Sequence, residues 1–144
     1  MRDLEQAWQQ GACPIVNGLL FPDGTVLPVN ILPSRAGAPT FEPRTTLKAL
    51  DASAPLEWTA IGVLAHAVSL DGSYSAVGGE GGMGSDGFVA VTLGPDKQLL
   101  WVAFFDHSNP FEEIRFDGED VVARSNLGRE YRFPVASPEN LVVS

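Results

Sequence analysis

The chain has 144 residues, 44% hydrophobic and 19% charged, the size and balance of a single globular domain over 1–144 rather than a disordered segment. Eighteen Asp and Glu against nine Lys and Arg leave a formal charge of −9, a surface that repels nucleic-acid phosphate and anionic lipid and steers toward a cationic partner. Cys13 is alone and forms no internal disulfide, no run of about 18 apolar residues is present to span a membrane, and the first ten residues lack an apolar signal segment, so the expected location is the cytoplasm.

The first predicted element is a short helix over Asp3 to Gln10. Asp3 can cap it, Leu4, Ala7 and Trp8 share one face, and Gly11 and Pro14 end it. Trp8 is expected to pack this helix on a sheet. Asn17 to Ile31 reads as a hairpin, with a type I turn over Phe21-Pro22-Asp23-Gly24 and with Pro28 placing the return strand at an edge. Leu32 to Pro55 carries Pro33, Pro39, Pro43 and Pro55 and reads as extended chain and loops, with one helical turn at Thr45 to Leu50.

Glu57 to Leu70 is apolar and small and fits a long strand or a buried helix, between which its alternation favours a strand covered on both faces. From Trp58 onward, apolar runs alternate with the turn pairs Asp71-Gly72, Asp86-Gly87, Gly94-Pro95, Asp117-Gly118 and Leu127-Gly128. The spacing predicts strands at Ser73–Val77, Phe88–Leu93, Leu99–Phe105, Glu113–Phe116, Val121–Ser125, Glu130–Val135 and Leu141–Val143. Leu99 to Phe105 is apolar throughout and is expected to be a central strand. The fold class that follows is mainly β, a β-rich α+β architecture. It is expected as a single curved antiparallel sheet or half-barrel meander, closed on one face by the N-terminal hairpin and helix.

Four segments invite functional readings. Six of the ten residues from Gly78 to Gly87 are glycine, yet no lysine follows them and Glu80 and Asp86 would repel phosphate, so the segment reads as a hairpin connection or a recognition loop. Asp106-His107-Ser108 groups an acid, an imidazole and a hydroxyl, but neighbours on an extended chain point alternately and cannot form a relay among themselves. His66 and His107 are the only histidines, without metal-ligand spacing, and His66 is expected in the core. Glu112, Glu113, Glu119 and Asp120 lie near Asp106 and Asp117 and read as a solvated face or an acidic docking surface. Trp58 and Trp101 read as core residues, with ligand stacking as the alternative.

The segment Leu100-Trp101-Val102-Ala103-Phe104-Phe105, Ser108-Asn109-Pro110-Phe111 and Ile114, followed by Ala123-Arg124-Ser125-Asn126-Leu127-Gly128 and Tyr131-Arg132-Phe133-Pro134, resembles a pattern in small bacterial proteins. Some of these are similar to immunity proteins that accompany polymorphic toxins. The resemblance implies a non-catalytic module that neutralises a partner by covering it. The residues expected to contact a basic protein surface are Glu80, Asp86, Asp106, His107, Glu112 and Glu113. No catalytic residue, cofactor or metal is expected, and a homodimer is compatible with the pattern. The alternative is a small-ligand-binding barrel, or an enzyme built on one, lined by Trp58, His66, Trp101 and Phe104 with His107 at the mouth.

Overall fold

Apolar runs punctuated by tight turns fold this chain into antiparallel ribbons. The computed structural model describes residues 2–144. In chain order the elements are α1 (Leu4–Gln9), β1 (Ala12–Pro14), β2 (Gly18–Leu20), β3 (Thr25–Ile31), β4 (Thr40–Phe41), β5 (Thr45–Thr46), α2 (Leu47–Ser53), β6 (Trp58–Ala60) and β7 (Gly62–Val68). They continue with β8 (Tyr74–Glu80), β9 (Gly87–Leu93), β10 (Gln98–Phe105), β11 (Phe111–Asp117), β12 (Asp120–Ser125), β13 (Glu130–Pro134), a 3-10 turn (Pro138–Asn140) and β14 (Val142–Val143). The architecture is mainly β and antiparallel with a short N-terminal helix, as the turn spacing predicts. Among the described residues, no helix is long and apolar enough to cross a membrane.

The strands divide where a single curved sheet was expected. An eight-stranded sheet runs β4-β3-β2-β10-β9-β8-β7, with β5 also on β3, and a four-stranded sheet runs β11-β12-β13-β14. The break falls at Asp106–Pro110, where the chain leaves β10 and crosses to the second layer. Strand β10 is central and buried except at Gln98 and half-buried Leu100. The N-terminal hairpin does not close over a face. It extends the large sheet in plane, with Leu19 of β2 opposite Ala103 of β10.

Two cores lie on the two faces of β10. Between the sheets, Trp101 meets Phe133 at 5.2 Å and Phe105 meets Tyr131 at 5.6 Å. The Trp101 indole Nε1 donates to the Val135 carbonyl at 2.9 Å, so this buried polar atom is satisfied. On the outer face, α1, α2 and the β1–β6 ribbon cover Leu20, Phe88, Val102 and Phe104. Trp8 packs edge-on against Phe88, centroids 5.6 Å apart, which is the anchoring role its helix face predicts.

Several expectations are corrected by burial and pairing. Pro28 is one strand in from the edge: β3 pairs with β2 on one side and with β5 and β4 on the other. The two outer strands stop on either side of Pro28, whose missing N–H would have interrupted a longer ladder. The helical turn at Thr45 to Leu50 becomes α2, capped by the Thr46 hydroxyl, which accepts from Ala49 N at 3.0 Å. The apolar run Glu57 to Leu70 breaks at Ile61, whose N–H bonds Gly11, and supplies strands to two different sheets. Strand β7 is an exposed edge, not a covered strand, and His66 on it is exposed where a core histidine was expected. Trp58 is half-buried, with the Arg2 guanidinium 5.0 Å from its ring.

Candidate functional site at the loop end of the sandwich

The glycine-rich stretch is neither a long connection nor a mobile loop. Gly78, Gly79 and Glu80 are the last residues of β8, and Gly87 begins β9. A Cβ on Gly78 would lie 3.3 Å from Phe111 Cβ, and one on Gly79 would lie 3.0 Å from the Phe88 ring. Gly78 thus lets β11 of the second sheet approach β8, and Gly79 makes room for the backbone of β7 and the Phe88 ring of β9. The remaining turn, 81–86, folds around the Asp86 carboxylate, which accepts from Gly81 N at 3.0 Å and Met83 N at 3.4 Å. Gly82 N donates to Thr59 Oγ1 at 2.8 Å, which ties the turn to β6. Asp86 is fully buried. Its expected role as a surface contact is therefore corrected: it is an internal acceptor that shapes the turn. Burial first, and the Asp86 charge second, push the Cys13 thiol far above its ordinary range.

A second loop, 106–110, is locked onto this turn. Ser85 Oγ donates to the Asp106 carbonyl at 2.9 Å, and Asn109 N donates to the Ser85 carbonyl at 2.8 Å. Asp106 N donates to Asn17 Oδ1 at 3.3 Å. Asn109 takes a left-handed conformation, φ 62°, which asparagine tolerates better than most residues. Its amide donates to Asn126 Oδ1 at 2.9 Å, and Asn126 N donates to the Pro110 carbonyl at 3.0 Å. Three loops thus interlock at one end of the sandwich. The hydroxyl of buried Ser108 donates to the Asn109 carbonyl at 2.9 Å and reaches the Phe105 carbonyl at 3.4 Å. Its hydroxyl is engaged with backbone carbonyls, but the segment is a turn rather than extended chain, so the expected alternation fails for Asp106 and His107, whose side chains meet at 2.9 Å.

The end carries charge outward. His107 Nδ1 lies 2.9 Å from Asp106 Oδ1, with side chains 82% and 42% exposed. Exposed Glu112, the second residue of β11, lies beside Asn126, whose amide reaches Glu112 Oε1 at 3.5 Å. Glu80 reaches the same end on β8, half-buried opposite Gly62 of β7. Glu113 does not join them. It sits on the outer face of the small sheet, 3.9 Å from Arg124. On that face Arg132 also pairs with Asp117 at 2.8 Å and Asp120 at 3.0 Å, and Arg115 with Glu130 at 3.5 Å. Of the six residues expected at a partner surface, the fold thus brings Asp106, His107 and Glu112 to one end with Glu80 near them, buries Asp86, and leaves Glu113 exposed on another face. Sequence reasoning missed Asn17, Ser85 and Asn126; the only signal for Asn126 was its place before the Leu127-Gly128 turn.

The lining proposed for a ligand-binding barrel does not converge. Trp101 belongs to the core between the sheets and Phe104 to the core on the opposite face of β10. No group of three or more His, Cys, Asp or Glu among the described residues is placed to hold a metal ion. The chain matches no protein-family model and no curated protein.

Proposed function

We propose that this protein is a non-catalytic protein-binding module of the immunity type, which covers a basic surface on its partner with the loop end of the sandwich. The observation that carries this reading is the interlocking of turn 81–86, loop 106–110 and Asn126 beneath the exposed side chains of Asp106, His107 and Glu112. A platform ordered before binding loses little conformational entropy on association. Loops held on a rigid sandwich are a common place for recognition. The formal charge of −9 favours fast encounter with a basic partner. The use of Ser108 Oγ in backbone hydrogen bonds supports a structural role for the Asp106-His107-Ser108 triplet.

The test is affinity capture from the native host, with the product of the adjacent gene as the first partner assayed. Capture is expected to weaken as salt rises. Reversing charge at Asp106 and Glu112, as D106K/E112K, is expected to weaken binding about tenfold or more, or about 1.4 kcal/mol. Failure to recover any partner, or full binding by the double variant, refutes the reading.

A further inference from the structure

The two edges of the large sheet differ. On one side β4 and β5 are two residues long and stand among Pro33, Pro39, Pro43, Arg35 and Arg44. Short strands, prolines and charges are how a solitary sheet edge resists pairing. Strand β7 on the other side has seven residues, and Gly62 to Leu70 contains no Asp, Glu, Lys or Arg. Val63 is 56% exposed, Leu64 47% and Val68 51%, and Leu70 in the following turn is fully exposed at 106%. A bulge between Val63 and Ala65 presents two consecutive apolar side chains to solvent. Beside them lies an open groove of about 410 Å3, bounded by Trp8 of α1, Ile61 and His66, with Val77 and Ala90 in its lining and one acid and one base, Asp96 and Lys97, at its wall.

We propose that β7 and this groove form the interface of a two-fold symmetric dimer of the chain. Charge selects the occupant. Two copies each carrying −9 repel over most of their surfaces, whereas β7 has no charged side chain and the groove's Asp96 is offset by Lys97, so contact there brings no net like charge together. The surface is also suited to itself. Under a two-fold axis each copy offers the same knobs, Leu64 and Val68, and the same adjoining groove, which is the requirement of an isologous contact. The exposed side chains of Val63, Leu64 and Val68 supply part of the roughly 800 Å2 that each partner buries in a standard interface, and the groove walls add to them. Because the bulge interrupts the ladder, side chains carry the contact. The knobs Leu64 and Val68 are not among the loop-end side chains Asp106, His107 and Glu112, so the dimer does not rest on the partner-binding reading.

Sedimentation velocity on the full chain, from low to high micromolar concentration, tests it. The expected result is a shift from 15.4 kDa to twice that mass, strengthened by added salt because screening weakens like-charge repulsion. Partner capture at the loop end is expected to respond to salt in the opposite sense. The variants L64K and V68K are expected to stay at the single-chain mass with an unchanged far-UV spectrum and to retain partner capture, while D106K/E112K still dimerises. A wild-type chain that stays monomeric throughout, or folded L64K and V68K variants that both dimerise as tightly as wild type, overturns the proposal.

Discussion

Asp86 shows how a single side chain can set the form of a segment. Its buried carboxylate accepts two backbone N–H groups of the turn that precedes it. Asp86→Ala leaves those donors without a partner, and a loss of about 1–3 kcal/mol is expected in denaturant unfolding. Gly79→Ala forces a Cβ against the Gly62 carbonyl and the Phe88 ring, with an expected loss of about 1–3 kcal/mol from overpacking. At the β7–β8 turn, Asp71 accepts from Ser73 N at 3.0 Å, Ser73 Oγ at 2.7 Å and Ser69 Oγ at 2.9 Å. These bonds hold its carboxyl at about 2, below the ordinary 3.8. Its contribution to stability is complete above pH 3.8 and is lost as pH falls through about 2. An NMR titration is expected to show the Asp71 carboxyl midpoint there, and a midpoint near 3.8 would show the turn bonds to be absent. The Asp71-Gly72 pair marked its turn beforehand, but the inward roles of Asp86 and Gly79 were not legible. An aspartate among glycines reads as a solvated acid, and its inward turn depends on backbone donors that only the folded turn supplies.

At the scale of elements, the turns were the legible part. The Phe21–Gly24 turn closes through Gly24 N on the Phe21 carbonyl at 2.9 Å, and Gly118 sits at φ 59° where the Asp117-Gly118 pair predicted a reversal. Strand β10 was legible as central because its apolar run has no polar face. The run that became β6 and β7 misled for the same reason. Apolar residues at an exposed edge read like those of a buried strand, and only the pairing partners separate the two. The crossing at Asp106–Pro110 was hidden too, because turn pairs mark where strands end but not which strands pair. Helix α1 has only six residues, too few to hold itself in water, so packing must hold it. Trp8→Ala removes its edge contact with Phe88. An expected cost of about 1–3 kcal/mol follows, with early loss of helical signal on heating.

For the whole molecule, the distribution of charge matters more than its sum. The outer face of the small sheet interleaves Arg115, Arg124 and Arg132 with Glu113, Glu130, Asp117 and Asp120, so acids there are largely paired. Exposed pairs of this kind add little stability, but they remove that face from the unbalanced acidic surface and leave Asp106 and Glu112 at the loop end. Net charge was legible from composition; its neutralisation on one face required the β11–β12–β13 register. The reading of the loop end depends on its being ordered before any partner arrives. Hydrogen exchange of the free protein at the amides of Gly81, Gly82, Asn109 and Asn126 measures this directly. The account predicts strong protection at all four, lost together with the core. Exchange at the rate of an unstructured loop would contradict it.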